Sequence, residues 1–458
     1  MKAFLIAGIG SGVGKTTVSL ALCAAFRARG LRVQPFKCGP DFLDTGHLSS
    51  IAGRPARNLD TWMLDHERNR EIFARAAAGA DVAMVEGMMG LFDGVSGGGE
   101  TGSAAEIAKL LSLPVILVLD AAKSARSLAA VVHGFETFDP QLRFAALVLN
   151  RVAGESHFRL LADAIGTTSQ IPLLGWLPRE ESVAIPERHL GLHTADEECS
   201  GDERERSFAA FAEKHLDLDV LLKSGHALPS QVKYTVRQKE PVISLGVARD
   251  RAFCFYYQDN LDLLEAAGAK IVPFSPQADA ELPRGLDALY LGGGYPELYA
   301  EQLSKNGSFL SSLRSFARTG RPIYAECGGM MYLAEELRTL DGQAFAMASL
   351  LPLRIEMTGG LVRFGYVEVE FAQDCFLAEK GTVARTHSFH YSNAIPTGEI
   401  SAPFLARYSL SGLSDKEGCI SRNVIGSYFH LHFAGNPSMP AAFVQEAQRA
   451  GVGVVSGW

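Results

Sequence analysis

A glycine-rich stretch close to the N-terminus, AGIGSGVGKTT from Ala7 to Thr17, has the residue types of a loop that holds phosphate groups. Glycines allow backbone N–H groups to turn inward, and a lysine at the start of a following helix can reach the β and γ phosphates of a nucleotide. A strand-like run, KAFLIAG, precedes the stretch, and a helical run, KTTVSLALCAAFRARG, follows it. We therefore predict that the stretch binds ATP through Gly10, Gly12, Gly14, Lys15, Thr16 and Thr17.

The spacing within this loop is one residue longer than usual. Phosphate loops are commonly written G-x4-G-K-[ST], and counting back from Gly14 places Ile9 at the first position. The form found here, from Gly8 to Thr16, is G-x5-G-K-T. A tight strand-to-helix turn without phosphate binding is the alternative interpretation. If the loop does hold ATP, the Thr16 hydroxyl can bind the accompanying Mg²⁺.

Polar side chains follow the strand-like runs near this loop. The run DVAMVEG ends on Glu86, where an acid that ligates magnesium would lie. Asp41, Asp44 and Asp93 lie in loops, and the capping of a turn is the alternative role for each of them. Asn150 ends another strand and is predicted to contact adenine, again with turn capping as the alternative.

A second candidate site centres on a cysteine. The run RPIYAECGGMMYLAEEL places Cys327 between an apolar strand and a helix, where a sharp turn exposes a nucleophile. The helix N-terminus is expected to lower the pKa of the thiol. A structural cysteine is the usual alternative, but the Gly328-Gly329 pair leaves little bulk around the sulfur. The run IGSYFHLHFAGNP offers His430 and His432 as bases, and strand alternation makes both face the same way.

The elements that must position these residues follow an α/β pattern. Through residues 1–193, apolar runs alternate with amphipathic ones, which predicts parallel strands at AFLIAG, LRVQPFK, DVAMVEG, PVILVLD and FAALVLNRV, and helices over Thr16–Arg29 and Ser103–Leu111. Residues 194–240 are charged and then linker-like, after which VISLGVA, AKIVPFS, ALYLGGG and RPIYAECGG resume the strand pattern. We predict two doubly wound α/β domains, 1–193 and 241–458, joined by a charged helical segment and linker over 194–240.

The composition limits the classes of function. A net charge of −8 argues against non-specific binding of nucleic acid. No apolar run reaches the ~18 residues of a membrane span, and the N-terminal run lacks the features of a signal peptide. Seven scattered cysteines without a C-x-x-C pair indicate a reduced protein without a zinc site. We expect a cytoplasmic protein that binds neither nucleic acid nor membranes, with a homodimer as the commonest default.

The longer loop spacing resembles that of the dethiobiotin synthetase-like branch of P-loop proteins, whose members use ATP to activate carboxylates or carbamates. Within that branch, four stretches closely resemble the cobyrinic acid a,c-diamide synthase family: KCGPDFLDTGHL (Lys37–Leu48), VEGMMGLFDG (Val85–Gly94), VLNRV (Val148–Val152) and IPERHLGL (Ile185–Leu192). The resemblance implies that Thr16, Asp41 and Glu86 bind the metal. It also implies that the substrate or its phosphorylated intermediate meets Phe42, Leu43, Asp44 and Asp93.

The second half resembles the class I glutamine amidotransferases, through the glycine turn LYLGGGYPEL, the cysteine turn and the closing histidines. This resemblance implies that Cys327 is the nucleophile, that His430 is the base, aligned by Phe429, and that backbone N–H groups at Gly293 and Gly328 form an oxyanion hole. His432 is the second choice as base.

Two departures from the family pattern stand out. Many relatives have His-Pro-Glu where this chain has His430-Leu431-His432, and the family more often has glutamate at the position of Ser388. His387 and His390, on either side of that serine, are either part of the site or core histidines bonded to backbone groups.

Together the two resemblances imply an α/β enzyme with an N-terminal P-loop domain of mostly parallel sheet and a C-terminal amidotransferase-like domain. MgATP would phosphorylate carboxylates of a corrinoid polycarboxylate, and ammonia from glutamine would displace the phosphate, twice, to leave the a,c-diamide. Because free ammonia is mostly protonated at neutral pH, a protected route between the sites is expected. Two alternatives stay open: amidation of another tetrapyrrole such as nickel-sirohydrochlorin, and a regulatory P-loop ATPase with a non-catalytic amidotransferase-like module.

Overall fold

The computed structural model describes residues 1–185, 187–188, 191–192, 201–224, 226–227 and 240–453. The chain forms two compact units, Met1–Tyr234 and Thr235–Trp458. Both are α/β units, as the sequence predicts. Most of the predicted linker, part of the IPERHLGL motif and Cys199 lie outside the described residues. The domain boundaries at 193 and 241 therefore stay predictions.

The first unit consists of a sheet and its neighbouring helices. Its described strands are β1 (Lys2–Gly8), β2 (Val33–Cys38), β3 (Arg57–Leu59), β4 (Val82–Glu86), β5 (Val115–Asp120), β6 (Phe144–Asn150), β7 (Leu173–Leu177), β8 (Glu187–Arg188), β9 (Gly191–Leu192) and β10 (His226–Ala227). Its described helices are α1 (Lys15–Ala28), α2 (Leu43–Ala52), α3 (His66–Ala76), α4 (Ala104–Leu110), α5 (Ser127–Phe138), α6 (Glu155–Gly166), α7 (Gly201–His215) and α8 (Leu218–Ser224). All five strands and both helices predicted for this region are confirmed.

The main sheet of this unit has the strand order β3-β2-β4-β1-β5-β6-β7, and all of these neighbours run parallel. The carboxyl ends of its strands meet at one edge, where Gly8 ends β1, Glu86 ends β4 and Asn150 ends β6. The chain winds outward in both directions from β1, and open parallel sheets bind ligands beside such a switch in strand order. The fold thus gathers the predicted nucleotide site at this edge.

The charged segment after residue 194 is partly built into the first unit. Helix α7 packs against α1, where Arg27 pairs with Glu205 at 2.8 Å and Arg29 with Glu213 at 2.6 Å. Phe208 of α7 is fully buried in the same core. The charged helical segment predicted within residues 194–240 is therefore confirmed as helical over the described residues 201–224, and α7 packs into the first unit.

The second unit begins with a parallel sheet and adds further strands. Its described strands are β11 (Ile243–Ala248), β12 (Ala269–Phe274), β13 (Ala288–Leu291), β14 (Ile323–Glu326), β15 (Glu336–Arg338), β16 (Ala344–Ala346), β17 (Leu353–Met357), β18 (Arg363–Phe371), β19 (Val383–His390), β20 (Ser392–Pro396), β21 (Phe404–Tyr408), β22 (Ser414–Glu417), β23 (Cys419–Ser421), β24 (Val424–Ser427) and β25 (His430–Leu431). Its described helices are α9 (Gln258–Ala267), α10 (Ala300–Lys305), α11 (Gly307–Ala317), α12 (Gly328–Leu333) and α13 (Ser438–Gly453). Across the described parts of both units, no helix is long and apolar enough to cross a membrane.

Three sheets build the second unit. The first has the order β12-β11-β13-β14-β24-β23 and is parallel except for the β23–β24 pair. The second is an antiparallel sheet of order β22-β21-β18-β19-β25, and the third has the order β16-β15-β17-β20. The sequence analysis predicted only the parallel part. Cys327 follows β14 of the first sheet, whereas His430 starts β25 at the edge of the second.

Candidate active sites

The glycine loop between β1 and α1 depends on two glycines with left-handed backbone. Gly12 has a φ of 72° and Gly14 a φ of 97°, values that favour glycine over any residue with a Cβ atom. A Cβ on Gly14 would also lie 2.0 Å from Nδ2 of Asn150. That amide group donates a hydrogen bond of 2.8 Å to the carbonyl oxygen of Val13. Asn150 therefore braces the loop from the end of β6, as turn capping would require, and its predicted contact with adenine stays a prediction.

Lys15 lies at the first position of α1 and folds back over the loop. Its Nζ donates a hydrogen bond of 2.8 Å to the carbonyl oxygen of Gly10, and the residue is 7% exposed. Burial, followed by the neighbouring charge of Lys37, lowers the pKa of Lys15. The ammonium group is thus held at the loop, where the phosphates of a nucleotide would neutralise it.

A buried cluster of charges lies beside the loop. The Thr16 hydroxyl donates a hydrogen bond of 2.8 Å to Oε1 of Glu86 and lies 3.4 Å from Oδ1 of Asp44. Lys37 Nζ lies 2.9 Å from the same Glu86 oxygen and 2.6 Å from Oδ2 of Asp44. The structure therefore joins four side chains from α1, α2, β2 and β4 in one contact network.

Lys37 is the member of this cluster that the sequence analysis missed. It is 3% exposed, and in the parallel pairing of β2 with β4 it stands directly opposite Glu86. Burial lowers the pKa of Lys37, but Asp44 and Glu86 outweigh this effect, so its pKa lies above the usual value. The signal in the sequence was a lysine near the end of the strand-like run LRVQPFK.

The other predicted acids of this site take different positions. The Asp41 carboxylate accepts a hydrogen bond of 2.7 Å from the backbone N–H of Asp44, and burial followed by the charge of Asp44 raises its pKa to about 7. Asp44, predicted to meet substrate, lies beside Thr16 together with Glu86. The exposed Asp93 accepts a hydrogen bond of 2.7 Å from the N–H of Gly90. Its role toward substrate stays a prediction.

Phe42 and Leu43 lie where the loop enters α2, and both are partly exposed. They therefore stand between Asp41 and Asp44, with side-chain surface still accessible. Thr17 follows Thr16 in the first turn of α1 and is also partly exposed. These positions are compatible with the predicted contacts to substrate and nucleotide, which stay predictions.

The residues around Thr16 fit a magnesium ion that is shared with phosphates. Oε2 of Glu86 is buried and has no hydrogen-bond partner among the residues that the structure describes. Within those residues, no group of three or more acidic, histidine or cysteine side chains could hold a metal by itself. Mg²⁺ commonly takes only one or two protein carboxylates and completes its shell with phosphates and water. A threonine hydroxyl and one unpartnered carboxylate oxygen match that pattern.

Cys327 occupies a strained turn between β14 and α12. Its φ of 47° and ψ of −105° are rare for a residue with a side chain, and its N–H donates a hydrogen bond of 2.6 Å to the carbonyl oxygen of Ser427. A Cβ on Gly329 would lie 2.3 Å from the carbonyl oxygen of Leu291, so only glycine fits there. The turn thus has the predicted form of a nucleophile elbow.

The environment of the Cys327 thiol differs from the expectation. Burial, with a smaller contribution from the charge of Glu297, raises the pKa of the thiol to about 12, although the N–H of Gly328 acts in the opposite direction. The prediction that the helix N-terminus lowers this pKa is therefore wrong for the described state, because desolvation outweighs one short helix. A thiol with this pKa keeps its proton at neutral pH unless a base removes it.

His430 lies in a tightly filled position. A Cβ on Gly293 would lie 2.5 Å from Cε1 of His430, so the neighbouring residue has to be glycine. The ring of His387 stacks on that of His430 with centroids 4.9 Å apart. Phe429, predicted to align the base, instead packs in the core against Phe404. His387 rather than Phe429 is thus the aromatic ring that stacks on His430.

The two candidate bases do not share a strand face. Strand β25 ends at Leu431, and His432 begins a short 3-10 turn in which its Nδ1 accepts a hydrogen bond of 3.4 Å from the N–H of Ala434. The His432 ring lies against Tyr257, with centroids 4.5 Å apart. The strand-alternation argument therefore does not apply to His432, because the strand ends between the two histidines, and the choice of base stays a prediction.

The oxyanion hole predicted at Gly293 needs revision. The N–H of Gly293 donates a hydrogen bond of 3.3 Å to the carbonyl oxygen of Phe255, so this donor is already engaged. The backbone nitrogen of Gly294 is the one that faces the cysteine turn, because a Cβ on Gly328 would lie 3.0 Å from it. Gly328 itself directs its N–H toward the Cys327 thiol.

The stretch around Ser388 is buried. Nδ1 of His387 lies 2.9 Å from the Tyr257 hydroxyl, and Nδ1 of His390 lies 2.8 Å from the carbonyl oxygen of Ser392. The backbone contact of His390 is the one expected of a core histidine. In the described part of the chain the buried Ser388 hydroxyl has no hydrogen-bond partner, and no contact explains why serine stands at this position.

Comparisons with known proteins match both units. Residues 4–192 match the CobQ/CobB/MinD/ParA nucleotide binding domain, and residues 244–438 match the CobB/CobQ-like glutamine amidotransferase domain. Over 455 residues the chain is 43% identical to the cobyrinate a,c-diamide synthase of Salmonella typhimurium, with 98% of each chain covered. The chain belongs to the cobyrinate a,c-diamide synthase family. Proteins of the same name from Syntrophotalea carbinolica and Streptococcus sanguinis are 44% and 39% identical, over 97% and 100% of their own lengths.

Membership of the cobyrinate a,c-diamide synthase family confirms the resemblance read from the sequence motifs. It makes the protein an enzyme, a ligase with a nucleotide-binding half that uses ATP and a half that uses glutamine. The alternative of a regulatory ATPase is therefore wrong.

Lys37→Met tests whether the Lys37 cation stabilises the buried cluster of charges in this protein. We expect the substitution to lower the free energy of unfolding by about 3 kcal/mol, because it leaves the Glu86 and Asp44 carboxylates without their buried cation. The midpoint of urea unfolding measures the change, followed by fluorescence of Trp62 and Trp176 in the first unit. Lys305→Met, which removes an exposed ion pair, is the control and should leave the midpoint unchanged. Equal midpoints for both variants would contradict the prediction.

Proposed function

We propose that the protein converts two side-chain carboxylates of cobyrinate, a corrinoid polycarboxylate, into amides, with ATP as the energy source and glutamine as the nitrogen source. The observation that carries the proposal is the identity of about 40% over nearly the whole chain to enzymes named cobyrinate a,c-diamide synthase. The geometry supports it, because each unit places chemically suitable groups at the ends of its parallel strands: Lys15, Thr16 and Glu86 in the first and Cys327 in the second. ATP and glutamine as co-substrates also favour a cytoplasmic location.

In the second unit, we assign release of ammonia from glutamine to Cys327 and His430. His430 accepts the thiol proton while the sulfur attacks the carbon of the glutamine side-chain amide. His430 then returns the proton to the departing nitrogen, the C–N bond breaks, and ammonia leaves a thioester on Cys327. Water hydrolyses this thioester to glutamate and restores the thiol.

The negative oxygen that forms during this attack needs hydrogen-bond donors. We assign this role to the backbone N–H groups of Gly294 and Gly328, which lie close together at the cysteine turn. Gly294 replaces Gly293 in this assignment because the carbonyl oxygen of Phe255 already accepts the Gly293 N–H. Backbone donors at such a turn are fixed before the reaction begins, which is what makes oxyanion holes effective.

In the first unit, we assign activation of the corrinoid carboxylate to the loop and its charged neighbours. A carboxylate oxygen attacks the γ-phosphorus of ATP, and the bond between that phosphorus and the β-γ bridging oxygen breaks. ADP departs, and the carboxylate has become an acyl phosphate. Ammonia then attacks the acyl carbon and phosphate departs, which yields the amide. Lys15 stabilises the charge on the transferring phosphoryl group. Asp44 and Asp93, with Phe42 and Leu43, are proposed to hold the carboxylate and its intermediate.

Mg²⁺ is proposed to bind at Thr16 and Glu86, where the unpartnered Glu86 oxygen is available. When bound, the ion supplies positive charge that neutralises the β and γ phosphates. Asp44 is near enough to Thr16 to contribute, whereas Asp41 uses one carboxylate oxygen to accept a backbone hydrogen bond. We therefore favour Thr16, Glu86 and Asp44 over the set with Asp41.

Product analysis tests this function directly. The enzyme is incubated with MgATP, glutamine and one tetrapyrrole at a time: cobyrinate, its metal-free counterpart or nickel-sirohydrochlorin. Mass spectrometry should show two amide groups on a corrinoid, with one ADP and one glutamate formed for each amide. If nickel-sirohydrochlorin were the only compound amidated, this tetrapyrrole and not a corrinoid would be the substrate. ATP hydrolysis without any amide would exclude the ligase reaction.

The same incubation with oxygen-18 in the substrate carboxylates tests the acyl phosphate. One labelled oxygen must leave with phosphate when ammonia displaces it, so the inorganic phosphate released should carry label. Unlabelled phosphate together with normal amide formation would exclude this intermediate.

A further inference from the structure

A carboxylate lies at the proposed base although the usual position for one holds a histidine. The second residue after His430 is His432, where many glutamine amidotransferases have glutamate. In this structure, Oε2 of Glu326 lies 3.8 Å from Nδ1 of His430, and the two side chains are 1% and 3% exposed. Glu326 comes from a different part of the fold, since it ends β14 immediately before Cys327.

Three donors hold the Glu326 carboxylate in place. Oε2 accepts a hydrogen bond of 2.8 Å from the Tyr290 hydroxyl, and Oε1 accepts hydrogen bonds of 2.7 Å from the Tyr324 hydroxyl and 3.0 Å from the Leu431 N–H. The last bond ties the carboxylate to the residue next to His430. A buried carboxylate that accepts this many hydrogen bonds is fixed in position.

The sheet explains why these groups meet. Tyr290 of β13 stands opposite Tyr324 of β14, and Glu326 lies two residues further along β14, on the same face as Tyr324. The next residue, Cys327, leaves the strand through the strained turn. One strand end thus directs the carboxylate toward His430 and then presents the thiol.

We propose that Glu326 is the positioning residue for His430, which orients the imidazole ring and stabilises its imidazolium form during thioester formation. In other class I amidotransferases, a glutamate two residues after the base has this role. The inference rests on the glutaminase half of the proposed function.

The electrostatics of the buried site supports this role. When His430 accepts the thiol proton, a positive charge forms where little water can solvate it, and a carboxylate at 3.8 Å offsets that charge strongly. The separation exceeds a hydrogen bond, but such contacts are often long before substrate binds. A carboxylate at Nδ1 also favours the tautomer that leaves Nε2 free to accept the proton.

Two further ionisable groups close to the His430 ring, His387 and His390, do not supply a negative charge in this way. His387 stacks on the ring at 4.9 Å, and its Nδ1 is bonded to the Tyr257 hydroxyl. Burial, followed by the charges of His430 and His432, keeps the pKa of His387 well below its usual value. His390 is bonded to a backbone carbonyl. The rings of His387 and His390 are neutral, whereas the Glu326 carboxylate lies 3.8 Å from Nδ1 of His430.

Glu326→Gln tests whether Glu326 orients the His430 ring or only stabilises the fold. The Tyr290 hydroxyl can accept as well as donate, so an amide nitrogen fits at the Oε2 position, but it then favours the wrong His430 tautomer. We expect kcat for glutamine hydrolysis to fall by about 10²-fold or more, with the KM for glutamine changed by less than about 3-fold. Ammonium-driven amidation should persist. Glu336→Gln, which removes a partly exposed carboxylate on β15 paired with Arg338, is the matched control and should behave like the wild type.

Glu326→Asp keeps the charge and should recover part of the lost kcat. A rise in KM with kcat retained, or equal kcat in Glu326→Gln and the wild type, would overturn the inference. A wild-type enzyme without any glutaminase activity would instead overturn the proposed function.

Alkylation of Cys327 tests whether Glu326 acts through His430. The rate at which iodoacetamide labels this thiol, read by peptide mass spectrometry, reports removal of its proton. We expect Glu326→Gln and His430→Ala each to slow labelling by about 10-fold or more, and the double variant to be no slower than His430→Ala. If Glu326→Gln slows labelling by the same factor in the His430→Ala background, Glu326 does not act through His430.

Discussion

Cys327→Ala should abolish glutamine-dependent amidation and leave amidation driven by a high concentration of ammonium salt close to the wild-type rate. In the proposed reaction the thiol serves only the release of ammonia, and the groups proposed to activate the carboxylate belong to the other unit. With glutamine, the expected loss is about 10³-fold or more, since no other group in the site can form the thioester. Product amide measured with each nitrogen source at saturating MgATP gives the ratio.

Cys375→Ala is the matched control, because this cysteine lies in the same unit and is half-buried outside the site. It should retain both activities. A Cys327→Ala enzyme that is equally inactive with both nitrogen sources, although its thermal unfolding is unchanged, would contradict the two-site scheme. If glutamine still supported amidation at the wild-type rate, Cys327 would be a structural cysteine.

The parts of the fold that depend on local sequence could be predicted. Short apolar runs between amphipathic stretches gave the parallel strands of both units, because strands buried in a sheet must be apolar throughout. The glycines before Lys15 and after Cys327 marked the two turns, since their positions have no room for a Cβ atom or need left-handed backbone. The location of each candidate site at the end of a strand could therefore be predicted from the sequence.

The parts that depend on pairing between distant strands could not be predicted. Lys37 meets Glu86 because β2 and β4 pair in one particular register, and Glu326 meets His430 across two different sheets. Nothing in the local sequence sets either distance. The engaged N–H of Gly293 follows from a backbone contact with Phe255, which is equally non-local.

Burial was the other property that sequence alone did not give. The Cys327 turn looked like an exposed thiol at a helix N-terminus, yet packing around it raises the thiol pKa to about 12. Because the thiol pKa is high, a base has to remove the proton, and this is why the buried carboxylate near His430 matters. The two features are linked: a desolvated thiol needs a base whose charged form is stabilised.

Lys15→Ala should eliminate amidation with glutamine and with ammonium alike, by about 10³-fold, while glutamine hydrolysis at Cys327 continues. Lys15 is proposed to act on the phosphoryl group, in a step that both nitrogen sources require. In the folded protein its side chain makes one hydrogen bond, to the Gly10 carbonyl, so the free energy of unfolding should fall by only about 1 kcal/mol.

Lys123→Ala, an exposed lysine in the loop after β5 of the same sheet, is the control and should keep both activities. Three measurements on each variant decide the matter: amide formed with glutamine, amide formed with ammonium, and glutamate released without corrinoid. Loss of the first two with the third retained is the pattern that phosphoryl transfer at the loop requires. A variant that amidates normally with ammonium would place Lys15 outside the chemistry, since no route through an acyl phosphate avoids charge on the transferring phosphoryl group.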